Sequence, residues 1–324
     1  MVELGERCEF DLAARPPFDF YSTVESEIEV RRMEDYPPLV DQYDGEAYWT
    51  TMILPGEEIV GLRFEPNPRI RGDLEQGLHV KLYSDRDIGK NDLDLVRATV
   101  NRCWGLDEDM EGFYRIAGHP PAIGRVVQRH RGMRPLSSFE PFRTVCITIL
   151  LQNTTMARTN AMISSLVMHY GYSVSFDGVS LRHWPSPERL AKVRPDEFRS
   201  ECRLGFRAER LSSTSQVITA GRPDLSQLSE IPTEEAKELL MELKGIGEYS
   251  AEMILLGLRC WDVFPIDVWS TRQFYRVLFP GQEIPARSKA YEEVRLRSRE
   301  LWGGWRGLVY ALTLHELDEI AENP

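Results

Sequence analysis

Residues 239–275, LLMELKGIGEYSAEMILLGLRCWDVFPIDVWSTRQFY, limit what this chain can fold into more than any other stretch. An apolar helical run stops at Leu243, Gly245-Ile246-Gly247 turns the chain, and a second apolar helix opens near Glu248. Glycine takes φ > 0 without a Cβ clash and lets the backbone approach another surface closely. Unpaired N–H groups at the start of the second helix then face outward, where they can hold an anion such as a phosphate. Contacts to phosphate fix position and carry no base information. After a Phe264-Pro265-Ile266 approach comes a lone carboxylate, Asp267. It precedes the amphipathic run VWSTRQFYRVLF, so it also suits a helix N-cap.

Elsewhere the pattern changes once. Up to residue 90, short β-branched and aromatic runs alternate with Gly, Pro and Asp. Strands are expected at Val30–Met33, Ala47–Leu54, Glu58–Phe64 and Leu78–Tyr83, forming an antiparallel sheet. Helices follow at Asp92–Val100 and across Pro141–Tyr170, the latter broken at Gln152-Asn153-Thr154. Ser186–Lys192, Pro195–Cys202 and Arg207–Ala220 read as short helices. Thr233 is a candidate N-cap ahead of Glu234 and Glu235. Arg287–Trp302 and Trp305–Glu319 close the chain. The expectation is an α+β protein: an N-terminal mostly-β domain over residues 1–120 and a helical domain over 121–324, its hairpin at 233–258.

With 324 residues and 42% hydrophobic content the chain can bury ordinary cores. It has no apolar run near the ~18–20 residues that span a bilayer. An N-terminus without an apolar signal core argues against secretion, so a cytoplasmic protein is expected. Five scattered cysteines suit a reducing compartment better than a disulfide framework. Their spacing offers no iron–sulfur ligand set, and no metal is expected. Net charge is −12, at first sight a poor match for a polyanion. Residues 121–220, however, carry 14 Lys+Arg against 7 Asp+Glu. A local positive face could arise from Arg125, Arg129, Arg131, Arg134, Arg143, Arg158, Arg199, Arg203, Arg207 and Arg210.

Residues 239–275 resemble the helix-hairpin-helix, Gly/Pro loop and Asp (HhH-GPD) of one superfamily of DNA glycosylases. Three other segments resemble it in the same order: FRTVCITILLQNTTMARTNAMISSLVMHYG at 142–171, LGFRA at 204–208 and LWGGWRG at 301–307. Relatives of the 8-oxoguanine and bacterial alkyladenine (3-methyladenine) types are the nearest in kind. The resemblance implies a two-lobed helical domain with the β-sheet domain packed on it, acting as a monomer on double-stranded DNA that carries a damaged base. It further implies that the base is flipped out and its N-glycosidic bond hydrolysed, with the protein localised alongside chromosomal DNA.

By the same resemblance, Asp267 is the catalytic carboxylate. Cleaving an N-glycosidic bond builds positive charge on the sugar, which a carboxylate stabilises while orienting water. Lys244, Gly245, Ile246 and Gly247 are the expected phosphate-binding hairpin, with a monovalent cation on its carbonyls and no other cofactor. Tyr249, Met253, Trp269 and Tyr310 are candidates for the base pocket, although aromatics at helical spacing are often core. Gln152 is the expected duplex wedge and Asn153 a structural or opposite-base contact, with helix capping as the plainer alternative. Tyr249 stands where strand-cleaving members of the family place a nucleophilic Lys, which implies a monofunctional enzyme. A lyase using Lys244 and a non-catalytic damaged-DNA binder are the alternatives.

Overall fold

The computed structural model describes residues 2–31, 40–67 and 77–322. A five-stranded antiparallel sheet occupies the N-terminal part. Its strands are β2 (Gly5–Ala13), β3 (Gln42–Tyr43), β4 (Tyr48–Leu54), β5 (Glu58–Pro66) and β6 (Gly77–Ser84), in the order β2-β6-β5-β4-β3. β4, β5 and β6 form where the sequence places them, because their residues alternate or run apolar between turn residues. β2 escapes that reading: it is largely exposed and rich in Glu and Asp, so its strand character comes from pairing with β6.

The strand expected at Val30–Met33 is replaced at its start by helix α1 (Phe20–Arg31); Arg32 and Met33 lie outside the described residues. Phe18, Phe20 and Val24 plug one face of the sheet together with Val96, Val100 and Trp104 of α2 (Lys90–Trp104). The other face takes a hairpin from the middle of the chain, β7 (Tyr172–Phe176) and β8 (Val179–His183), to which β1 (Val2–Glu3) adds in parallel. Sheet and helices are thereby stitched together through Trp49, Tyr83, Phe176 and Leu181.

Two helical lobes follow. One packs α5 (Pro141–Leu150), α6 (Met156–Tyr170), α7 (Pro187–Leu190), α8 (Pro195–Cys202), α9 (Arg207–Thr219), α10 (Thr233–Met241) and α11 (Glu248–Gly257) around Val145, Ile149, Leu166, Leu211 and Leu255. The second gathers α3 (Met110–Ile116) and α4 (Pro121–Arg129) with α12 (Val268–Leu278), α13 (Arg287–Trp302), α14 (Arg306–Thr313) and α15 (Leu317–Glu322) around Phe113, Phe264, Phe274 and Trp302. Apolar packing therefore divides the chain elsewhere than at residue 120, since Met110–Ala117 belong with the last helices. The helix expected over Trp305–Glu319 is instead two helices, α14 and α15, joined by a short 3-10 turn at Leu314–Glu316. Thr233 is the first residue of α10, not its cap; its hydroxyl donates to Asp262 at 2.6 Å.

Candidate active site

α11 belongs to both lobes. Ile254 and Leu255 pack in the first, while Met253 and Leu256 lean on the second. A helix shared in this way fixes the residues at its N-terminus relative to whatever the second lobe presents.

The turn into α11 is tight for a stated reason. Gly245 has φ +83°, and a Cβ there would lie 2.5 Å from Nε of Arg210. Both the left-handed backbone and the close cation exclude a side chain. Gly247 differs from the expectation for the pair: it is extended at φ −103°, ψ −178° and caps α11 with no side-chain hydrogen bond. Nothing lies within 4 Å of where its Cβ would be, and the N–H groups of Glu248, Tyr249 and Ser250 have no acceptor among the described residues. Ile246 does not face outward. Its side chain is 5% exposed in the first lobe's core and its N–H donates to Leu243 O at 3.0 Å, so it anchors the turn. Lys244 is exposed, and its ammonium lies 3.7 Å from Glu209.

Gln152 turns out to be a brace for this hairpin. Its Nε2 donates to Gly245 O at 2.8 Å and reaches Ser250 Oγ at 3.4 Å. Arg210 donates to its Oε1, and Arg207 to its carbonyl. In this structure the side-chain amide is thus engaged at both ends, holding the hairpin instead of projecting from it. Asn153, next to it, is exposed and left-handed at φ +50°, a conformation asparagine tolerates well. α6 begins three residues later, with Thr155 as the N-cap, accepting from Arg158 N.

Asp267 sits exposed at the entry to α12. A capping box holds it: its Oδ1 accepts from Ser270 N and Ser270 Oγ, each at 2.8 Å, while its own N–H donates to Ser270 Oγ at 2.8 Å. Its Oδ2 has no hydrogen-bond partner among the described residues. One oxygen thus orients the group and the other stays available. Both the capping and the reactive readings of this residue are compatible with the geometry.

Tyr249 and Tyr310 face that carboxylate. Burial, together with the Asp267 charge, pushes the Tyr249 phenol up. Burial pushes Tyr310 up further, followed by the neighbouring Tyr249 and the Asp267 charge. Tyr249 is 44% exposed, whereas Tyr310 is 3% exposed and packs on Phe264 and Phe274. Met253 lies against the same core. Tyr249 therefore presents an open ring, with the buried Tyr310 beside it and Met253 packed on the core that holds Tyr310. Trp269 is not with them. It is 41% exposed, its Nε1 donates to Asp318 at 3.2 Å, and it lines a groove with Val268, Arg272, Gln273 and Arg276.

Glu252 and Arg295 escaped the sequence reading. Glu252, one turn after Glu248, is 2% exposed and meets Arg295 of α13 through two contacts at 2.7 and 3.0 Å. Arg295 also donates to Phe264 O at 3.2 Å, three residues before Asp267. The fork ties α11, α13 and the Asp267 approach to one point. A charged residue on an otherwise apolar helix was the signal available.

The basic segment does not form one positive face. Arg134 is fully buried, donating to the carbonyls of Gly105, Arg15 and Pro17. Arg143 is bound to Asp41, Arg129 to Glu316, Arg131 to Glu111 and Arg199 to Asp196 and Glu209. Arg158 and Arg203 remain exposed. A cavity of about 540 Å³ lies beside Glu140, His183 and Trp184 and shares no residue with the hairpin or the Asp267 loop, so its size does not mark the reactive centre.

The chain is similar to known proteins in sequence and in fold. The chain is 27% identical over 212 residues to a probable N-glycosylase/DNA lyase of Methanothermobacter thermautotrophicus, covering 60% of this chain and 67% of that protein. It is 23% identical over 169 residues to a DNA-3-methyladenine glycosylase of Bacillus subtilis, covering 52% of this chain and just over half, 56%, of that relative. In three dimensions it is similar to a 3-methyladenine DNA glycosylase of Archaeoglobus fulgidus, with TM-score 0.74, 21% identity and coverage of 95% and 98%. It is also similar to the 8-oxoguanine glycosylase/lyase of Clostridium acetobutylicum, with TM-score 0.68, 18% identity and coverage of 99% and 98%. At these identities the structural likeness establishes the fold alone, an α+β architecture. Residues 146–303 match the family described as HhH-GPD superfamily base excision DNA repair protein, and this span holds the hairpin, Tyr249 and Asp267. Over that span, just under half of its length, the chain is similar to the HhH-GPD superfamily of base excision DNA repair proteins.

Proposed function

We propose that this DNA N-glycosylase is monofunctional: it hydrolyses the N-glycosidic bond of a damaged purine in duplex DNA and leaves an abasic site. The observation that carries the reading is the phenol of Tyr249, in place of an amine, facing the Asp267 carboxylate. A phenol can line a base and donate a hydrogen bond, but it does not form the Schiff base that strand cleavage requires. Lys244, the amine of the alternative lyase reading, is drawn instead to Glu209 of α9.

The chemistry divides among few groups. Asp267 stabilises the oxocarbenium-like sugar and orients water through its free Oδ2. The open N–H groups after Gly247 hold a phosphate of the lesion strand. The exposed Tyr249 ring stacks an electron-poor base, a preference that favours alkylated purines. Asn153 takes the wedge role and fills the space that the flipped nucleotide leaves. A monovalent cation fits the hairpin, where Leu243 O and Gly245 O each accept one hydrogen bond and keep a second lone pair. The protein works as a monomer in the cytoplasm with chromosomal DNA; among the described residues no helix is long and apolar enough to cross a membrane.

One experiment separates the readings. Base release and strand nicking are measured on the same lesion duplexes, with borohydride present to trap any covalent adduct. Release without nicking or trapping is expected. Efficient trapping would overturn the monofunctional reading, and trapping lost in Lys244→Gln would move the chemistry to that amine.

A further inference from the structure

The groove at Trp269 is a surface that neither the hairpin nor the reactive carboxylate accounts for. Trp269, Arg272, Gln273 and Arg276 recur at i, i+3, i+4 and i+7 of α12, so they form one stripe. With the exposed Val268 they line a groove of about 400 Å³. Most arginines singled out in the basic segment are buried or paired with acids. In contrast, neither Arg272 nor Arg276 has an acidic partner among the described residues; Arg276 Nη1 donates to Gln273 Oε1 at 2.7 Å. The one acid at the rim, Asp318, accepts from Trp269 Nε1 at 3.2 Å and from Gln273 Nε2 at 2.5 Å. It fixes the ring and the amide and leaves both guanidinium groups uncompensated.

Resting on the reading of this protein as a DNA glycosylase, we propose that the α12 stripe is a second clamp on duplex DNA, separate from the hairpin. Arg272 and Arg276 hold phosphates, and Trp269 packs against the sugar or base between them and the lesion. The dimensions fit a strand. The stripe runs about 10 Å along the helix at 1.5 Å per residue, with the two arginines about 6 Å apart. At a rise of ~3.4 Å per nucleotide on one strand, this spans roughly three nucleotides. The stripe also starts two residues from Asp267, so DNA whose lesion reaches that carboxylate passes this face. Asp267 already caps the N-terminus of α12, so the attraction comes from the side chains and not from the helix end. A clamp on each side of the reactive group would let a chain of net charge −12 retain DNA with few cations.

The test is the salt dependence of binding to an undamaged duplex of about 25 base pairs between ~50 and ~200 mM salt, where each phosphate contact contributes about 0.9 to the slope of log K against log salt. For the full-length R272Q/R276Q variant the slope should fall in magnitude by about 2, with binding at ~100 mM salt weakened on the order of 10-fold. W269A should weaken binding several-fold at an unchanged slope, because it removes stacking without charge. Circular dichroism melts verify that the variants fold. An unchanged slope in the double variant would overturn the proposal. Because the duplex carries no lesion, this result stands apart from failure to excise any base, which would count against the glycosylase reading alone.

Discussion

Asp267 divides its carboxylate between two duties. Ser270 takes Oδ1 twice, which leaves Oδ2 for the part that the proposed function gives it at the sugar. The cap was legible in the sequence, since an Asp ahead of an amphipathic run predicts one, whereas the reactive role is what the resemblance to the glycosylase family implies. The neighbouring Gln152 was not legible, because its role depends on Arg207, Arg210 and Gly245, residues 55 to 93 positions away. Exchanging the two roles yields a prediction. Asn153→Gly should weaken specific binding to lesion duplex, and lower base release, by about 10-fold while leaving stability within ~0.5 kcal/mol, because glycine accepts the left-handed backbone that alanine would strain. Gln152→Ala should instead destabilise the hairpin, by about 1–2 kcal/mol, since it leaves hydrogen-bond partners unmatched. Thermal melts beside fluorescence titrations of both variants verify the assignment.

At the scale of elements, the reactive centre depends on how α11 meets the Asp267 loop. The Glu252–Arg295 fork makes that junction, joining α11 to α13 and to the Phe264 carbonyl. Breaking a buried pair by removing one partner strands a charge and costs about 3–5 kcal/mol. Glu252→Gln and Arg295→Met should each show most of that loss in urea unfolding. The double replacement Glu252→Leu/Arg295→Met should recover part of it, yet stay impaired in base release, because an apolar pair no longer holds the Phe264 carbonyl. Full recovery of base release in the double variant would show that the fork only supports the fold. α10, α11, the hairpin, β4 to β6 and α13 could be read from periodicity and turn residues. α1, β2 and the β7–β8 hairpin could not, because their form is set by distant partners: β6 for β2, and the sheet face around Trp49 and Tyr83 for the hairpin.

Across the whole molecule, the acidic sheet region is bound to the helical lobes by more than apolar contact. Glu140, at the start of α5, has its carboxyl buried beside His183 of β8, 3.9 Å away, and His183 in turn contacts Thr51 of β4 at 3.0 Å. Burial, partly offset by Arg143, pushes the Glu140 carboxyl up to about 7. Burial, with the Arg143 charge, pushes His183 down to about 3. A raised acid favours the folded state when protonated, so its stabilisation is present below the unfolded value near 4.5 and is lost as pH climbs through about 7. A depressed histidine acts in the opposite sense: its stabilisation is present above 6.5 and is lost as pH falls toward 3. Glu140→Gln should therefore stabilise the protein by up to about 3 kcal/mol at pH 8 and far less at pH 4.5. Urea unfolding at the two pH values measures the difference, and an equal effect at both would contradict the assignment.

The proposed function rests on one carboxylate held against a flipped nucleotide, and Asp267→Asn tests that directly. Asparagine caps a helix as well as aspartate does, so α12 and the fold should survive the change. Single-turnover base release is measured for wild type and variant on duplexes carrying 3-methyladenine, 7-methylguanine, hypoxanthine, 8-oxoguanine or uracil. Release of at least one damaged purine by the wild type, reduced at least ~10²-fold in the folded variant, is the expected result. Turnover that persists unimpaired in Asp267→Asn would contradict a reactive role for this residue.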